Sequence, residues 1–322
     1  MEKETKSISI SEVEIGPGEN KIVQIPVGSL PSGTNIDIIA HVYRSMYKGP
    51  TILIMAGVHG DEINGVEIVR KTIADKVYRR LRKGTAIVIP LLNIFGFINF
   101  SRDVPDGKDV NRSFPGTAAG SLASRVARVV TKMILPVVDF GVDFHTGGAS
   151  RYNYPQIRYG SADHKAKELA TAFAPPFMIQ KSYIMKSLRK VAKDMKVPMI
   201  VYEGGESVRL DGLSIEKGYN GLLRVLKHEG MISKAPDYGS RIVNLTRTTW
   251  VRAPISGLFT WSRQSGVSIS KGDPLGVLND VQGNNSKTVL STRDGFIIGH
   301  NNASVVSQGD ALFNIAYESE PL

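Results

Sequence analysis

The chain has 322 residues, 42% hydrophobic and 22% charged, enough for one large buried core and a smaller second one. It contains no cysteine, which excludes disulfides and thiolate metal sites and leaves His, Asp and Glu as metal ligands. The net charge of +10 lies in residues 1–236, because residues 237–322 hold seven Lys/Arg and seven Asp/Glu. Much of the excess sits in "YRRLRKG" and "KSLRKVAKDMK". Neither run interleaves aromatics for base stacking, so both read as solvated helix faces and no nucleic-acid partner is expected. The start "MEKETKSISI" lacks a signal-peptide core, and no apolar run approaches a membrane span. A cytoplasmic protein without a membrane partner is expected, although absent cysteine is equally compatible with export.

In chain order, "KIVQIPV" and "NIDIIAHVY" alternate apolar and polar residues around "GSLPSG", predicting an antiparallel hairpin. His41 within it reads as a structural histidine. "TILIMAG" is a short apolar run, as in a strand buried on both faces. Ile63, Val66, Val69, Ile73, Val77 and Leu81 then recur at helical spacing. "TAIVIPLLN" predicts a second buried strand, "GSLASRVARVVTKMI" a helix, and "VVDFGVDFH" a third strand. Its faces are expected to be Val138, Phe140, Val142 and Phe144 on one side, and Asp139, Gly141, Asp143 and His145 on the other. "KAKELATAF" and "LRKVAKDMK" read as helices, and "PMIVYEGG" as a fourth strand. This alternation predicts an α/β fold: a mixed, mostly parallel sheet with helices on both faces, over residues 1–240.

From about residue 245 the pattern changes to short strands and many glycines. "VSISKGDPLGVL" matches "SVVSQGDALFNI" at an offset of 37, each after an apolar-Gly turn ("PISGLF", "TRDGFI"). Two such units predict a small all-β barrel-sandwich domain over residues 241–322, resembling the biotinyl/lipoyl type. Lys287 lies in the link between the halves, but the carrier motif is absent, so a swinging-arm role is not expected.

The strands deliver polar residues to one sheet edge: His59 after the first, Asn93 after the second, His145 and Glu203 at the ends of the third and fourth. In open α/β sheets ligands bind beyond those carboxyl ends. His59 and Glu62, three apart at a strand-to-helix turn, could chelate one zinc ion. Alone, they read as well as acids (Asp61 or Glu62) favouring a helix N-terminus. His145, two residues after Asp143 on the same face, tips the balance. A His/Glu/His set leaves a position open, as in catalytic zinc sites, with Asp143 orienting the imidazole. Glu203, before "GG", is the candidate general base, with Glu206 as the alternative. In "NFSRDVPDGKDVNRSFPG", Asn111 and Arg112 could clamp a carboxylate and Arg102 could stabilise an oxyanion. The competing account of that loop is Asn turns and Arg pairing with Asp109.

Together "GVHGDE", "DVNRSFPG", "DFHTGG" and "VYEGGE" resemble motifs of the aspartoacylase/succinylglutamate desuccinylase family, relatives of the zinc carboxypeptidases. The likeness runs from about residue 40 through the tail and is nearer the broader deacylase branch than the aspartoacylases proper. It implies a zinc-carboxypeptidase-like catalytic domain, one zinc ion on His59, Glu62 and His145, and Glu203 as base. It further implies that Asn111 and Arg112 bind a substrate carboxylate and that Arg102 polarises the scissile carbonyl. Tyr154 and Arg158 become candidate substrate contacts. The expected activity is hydrolysis of the amide in a small, anionic N-acyl amino acid or related acylated amine, by metal-activated water. Whether the C-terminal domain caps the site is left open, as is oligomerisation. Two alternatives stand beside this: a zinc carboxypeptidase acting on short peptides, and a non-catalytic binding module that keeps the fold.

Overall fold

A computed structural model describes residues 1–29, 32–239 and 241–319. A short hairpin, β1 (Ile8–Ile10) and β2 (Val13–Ile15), precedes the expected long one, β3 (Asn20–Ser29) and β4 (Asn35–Arg44). Leu30 and Pro31 of the predicted turn, and Ser240 at the predicted domain boundary, lie outside the described residues. His41 stacks on Tyr43 within β4, as a structural histidine would.

The centre follows as β5 (Thr51–Ala56), α1 (Ile63–Ala74), β6 (Thr85–Ile89), α2 (Ile94–Ile98), α3 (Leu122–Val129), β7 (Phe140–Gly147), β8 (Arg151–Tyr159), α4 (His164–Phe173), β9 (Phe177–Gln180), α5 (Leu188–Asp194), β10 (Met199–Glu206) and α6 (Gly212–His228). Strand periodicity divides the core. On β5, Ile52, Ile54 and Ala56 join a cluster with α1, α4 and α6, whereas Leu53 and Met55 join one with α3 and α5. The sheet is thus covered on both faces, as the continuous apolar runs predicted.

Several local expectations shift. Helix α1 stops at Ala74; Lys76 turns left-handed (φ 56°), and Val77 and Leu81 follow outside the helix. Helix α3 widens into a π-turn over Val130–Ile134. Val138 precedes β7 and packs on the opposite side from Phe140, because the strand alternation starts only at Phe140.

The tail supplies β11 (Val243–Arg252), β12 (Gly257–Trp261), β13 (Ser268–Ile269), β14 (Pro274–Asn279), β15 (Ser286–Leu290), β16 (Gly295–Asn301), β17 (Val305–Val306) and β18 (Ala311–Ser319). The predicted repeat is visible in the turns. Gly272 and Gly309 both take positive φ (91° and 90°), and Asp273 and Asp310 each accept the amide three residues before them. The halves exchange strands: β13 pairs with β16, and β17 with β12. Lys287 lies in the exposed strand β15.

One sheet of twelve strands runs β13-β16-β18-β11-β9-β8-β10-β7-β5-β6-β4-β3. It is mixed: within residues 1–240 four pairings are parallel and three antiparallel, and the tail adds further antiparallel ones. Parallel pairing holds in β6-β5-β7-β10 and β8-β9-β11. The N-terminal hairpin joins β6 antiparallel, the return strand β8 joins β10 antiparallel, and β16 and β18 of the tail pair antiparallel. The sequence reading missed β8 and β9, which carry Pro155 and short polar-interrupted apolar runs instead of clean alternation. It also missed α6. The tail therefore continues the central sheet on one side, while β15-β14-β12-β17 forms its second layer.

Candidate metal and active site

Two strand ends and one helix start converge. His59 follows β5, Glu62 is the N-cap of α1, and His145 lies near the end of β7; all three are almost fully buried. His59 Nδ1 lies 2.7 Å from Glu62 Oε1, His145 Nδ1 lies 2.8 Å from Glu62 Oε2, and the two Nδ1 atoms are 3.2 Å apart. Glu62 makes no side-chain cap to its own helix. Its carboxylate turns to the histidines and accepts from the Thr146 amide (3.0 Å), which answers the helix-terminus account of this motif.

The outer nitrogen of each ring meets a carboxylate. His145 Nε2 lies 2.8 Å from Asp143 Oδ2. His59 Nε2 lies 3.3 Å from Asp109 Oδ1 without completing a hydrogen bond. Burial disfavours charge on every member. Even so, His59 and His145 hold the Glu62 carboxyl well below its ordinary range, and Asp143 and Glu62 raise the His145 imidazole well above its own. One donor atom from each of His59, Glu62 and His145 lies within 4.8 Å of the others. Two facing imidazole nitrogens and a buried carboxylate oxygen, each histidine backed by an acid, suit a divalent cation such as zinc. Glu168, His228 and Glu229 also bring donors together, but Lys165 already bridges Glu168 and Glu229 (2.9 and 2.7 Å).

A cavity of about 240 Å³ opens over this cluster. Its walls include Arg102, Asn111, Arg112, Arg158 and Glu203. Arg102 donates to Asp109 Oδ2 (2.9 Å) and to Glu62 Oε1 (3.2 Å); the expected Arg–Asp109 loop pair thus exists inside the site. Asn111 Oδ1 accepts from the Leu188 amide (2.9 Å), which leaves its Nδ2 as the donor for a ligand. Glu203 pairs across the parallel ladder with His145. Its carboxylate is held by Arg158 Nη1 at 2.7 Å and Asn153 Nδ2 at 2.8 Å. Arg158 is therefore a partner of Glu203 as well as a wall of the cavity.

Other expectations do not hold. Asn93 caps α2, accepting from the Gly96 amide, and is absent from the cavity wall. Tyr154 packs on Phe177 and lines a different cavity of about 750 Å³ on the other side of β8, together with Glu206. The reason is a bulge: two steps of β10 from Glu203 to Gly205 face three of β8 from Gln156 to Asn153, which turns Asn153 toward Glu203. Glu206 is bonded by Asn302 instead of facing the histidines.

Sequence reasoning missed Arg151, Asn153, Arg189 and Trp250 in the cavity wall. Arg189 is the most informative. Its Nη1 is buried without a partner, and burial first, then Arg158, push its guanidinium down to about 10 despite Tyr183. The only sequence signal was the basic run "KSLRKVAKDMK", which reads as solvated.

With this geometry, comparison with known proteins is decisive. The model of the succinylglutamate desuccinylase/aspartoacylase catalytic domain matches residues 48–229. The chain belongs to this family. An N-alpha-acetyl-L-2,4-diaminobutyric acid deacetylase of Halomonas elongata is 25% identical over 94% of this chain and 93% of that protein. The crystal structure of a succinylglutamate desuccinylase/aspartoacylase of Rhodobacter sphaeroides superposes with a TM-score of 0.83 at 25% identity, covering 93% and 95% of the two chains. The product-bound ectoine utilization protein EutE (DoeB) of Ruegeria pomeroyi has the same fold, with a TM-score of 0.83 at 24% identity over 93% and 95%. Among the described residues, no helix is long and apolar enough to cross a membrane.

Proposed function

We propose that this family member is a zinc-dependent amidohydrolase that deacylates a small N-acyl amino acid or related acylated amine carrying a carboxylate. The observation that carries the reading is Glu203: a nearly buried carboxylate aimed by Asn153 and Arg158 into the cavity over His59, Glu62 and His145. The Halomonas relative, a deacetylase of an acetylated amino acid, supports the same reaction class.

His59, Glu62 and His145 would hold the metal. Zinc in such a set supplies Lewis acidity and acidifies a water molecule. Glu203 takes the proton of the attacking water on a carboxylate oxygen and returns it to the departing amine. Arg102, anchored by Asp109, presents its guanidinium to the oxyanion that develops from the amide carbonyl. Asn111, Arg112 and Arg189 bind the substrate carboxylate, and Arg189 Nη1 is a buried donor that lacks an acceptor. The tail, described over residues 241–319, narrows access through Trp250 in the cavity wall. The cavity's small volume favours acyl amino acids over peptides. A cytoplasmic location belongs to this reading, and cell fractionation checks it.

The test is a screen of N-acetyl, N-succinyl and related amino acids with zinc-loaded protein, alongside short peptides and metal analysis. Hydrolysis of acyl amino acids with one zinc per chain is expected. Glu203→Gln keeps zinc and loses about 10²–10⁴ in turnover. Full activity of that variant, or peptides as the better substrates, overturns the assignment.

A further inference from the structure

Both ladders of β10 slip register near its end. Against β7, three steps of β10 from Glu203 to Glu206 face two, from His145 to Gly147. Against β8 the register slips again between Glu203 and Gly205. A bulge redirects the side chain beside it, so the path of residues 203–206 sets where the Glu203 carboxylate points. Gly205 adopts φ +83° within it.

One buried side chain grips this bulge from the opposite element. Asn64 lies in the first turn of α1, two residues after Glu62, with no exposed surface. Its Nδ2 donates to the carbonyls of Glu206 (3.1 Å) and Arg209 (2.9 Å), and its Oδ1 accepts from the Asp211 amide (2.7 Å). A Cβ at Gly205 would lie 2.6 Å from Asn64 Nδ2, so the amide packs on the bulge itself. The loop beyond is tied to both histidine segments. Val208 N donates to Asp61 O (2.8 Å), and Ser207 donates from N and Oγ to Gly147 O (3.0 and 2.9 Å). Val208 takes φ +59°, an unfavourable backbone for a β-branched residue, which persists only where the surroundings impose it.

We propose that Asn64 is a positioning residue that fixes Glu203 relative to Glu62, by pinning the β10 bulge to the helix that carries Glu62. The proposal rests on the reading of Glu203 as base. One amide spans the two elements that must keep register for proton transfer, and a displacement near 1 Å costs on the order of 100-fold in rate.

Asn64→Ala removes all three bonds; Asn64→Asp keeps the acceptor for Asp211 and loses the donors. Both are expected to lower kcat by about 10- to 100-fold, with KM and bound zinc unchanged. Amide exchange at residues 207–211 should accelerate in both. Thr72→Ala, in the same helix and bonded to Tyr78, is the comparison for plain destabilisation and should leave kcat intact. A kcat within twofold of wild type, or a loss reproduced by Thr72→Ala at equal stability, overturns the proposal. If Asn64→Ala does not fold, Asn64→Asp and Asn64→Ser carry the test. If the wild-type protein hydrolyses no acylated amine, the reading of the site has failed separately. Exchange at residues 207–211 then decides whether the pin exists, and unchanged exchange rejects it.

Discussion

Asp143 Oδ2 stands 2.8 Å from His145 Nε2, two residues along one strand face, and so reserves His145 Nδ1 for Glu62 and His59. The pair fixes the imidazole's orientation before any cation arrives. Replacing the carboxylate with an amide of the same shape leaves the ring free to donate or accept at either nitrogen. Asp143→Asn is therefore expected to weaken zinc binding about 10- to 100-fold, measured by competition with a chelator. Unchanged affinity would mean that packing alone orients the ring.

Gly65 is where α1 touches β7. A Cβ there would sit 2.8 Å from both Cβ and O of Phe144. Gly65→Ala must push the helix that carries Glu62 away from the strand that carries His145. A loss of about 1–3 kcal/mol in stability is expected by denaturant titration, together with weaker zinc retention. A variant of wild-type stability and zinc content contradicts this account.

Arg189 Nη1 is buried without an acceptor, beside Arg158 and Glu203 in the cavity wall. Charged hydrogen bonds are worth about 1.5–3 kcal/mol. Arg189→Met should accordingly raise KM roughly 10- to 100-fold for substrates with a free carboxylate, and much less for their amides. Equal effects on both substrate types would remove Arg189 from carboxylate binding.

His300 joins the tail to the central sheet. It lies between Tyr152 (5.2 Å) and Trp261 (4.7 Å), pairs with Tyr152 in the ladder, and meets Ser265 Oγ at 2.7 Å. Burial pushes its imidazole from 6.5 down to about 4. The unfolded chain thus binds more protons than the folded one between these values, and stability is lost as pH falls from 6.5 toward 4. The stability advantage of wild type over His300→Phe should shrink across that window. Parallel pH curves for the two proteins would show that His300 does not titrate differently on folding.

How much of this was legible beforehand differs by element. The continuous apolar runs of β5, β6 and β10 were readable because burial on both faces leaves no other composition. The His59, Glu62 and His145 cluster and Glu203 were readable because each lies at or just past the end of such a run. Strand β8 was not: its pocket-facing residues, Asn153 and Arg158, are out of step by a bulge that belongs to the pairing, not to either strand's sequence. Tyr154 was misassigned for the same reason. Arg189 hid in a basic run, since a solvated and a cavity-lining arginine have the same letter. Asn64 left no signal, because its three partners are backbone groups 142 to 147 residues away.

The joining of the tail to the central sheet bears on how the cavity is reached. Strand β11 is hydrogen-bonded to β9, and β16 to β8, so the tail is spliced into the main sheet at two seams. Swinging it aside would mean breaking both ladders. On the proposed function, substrate and product would therefore share a doorway of fixed width, which would sort them by size.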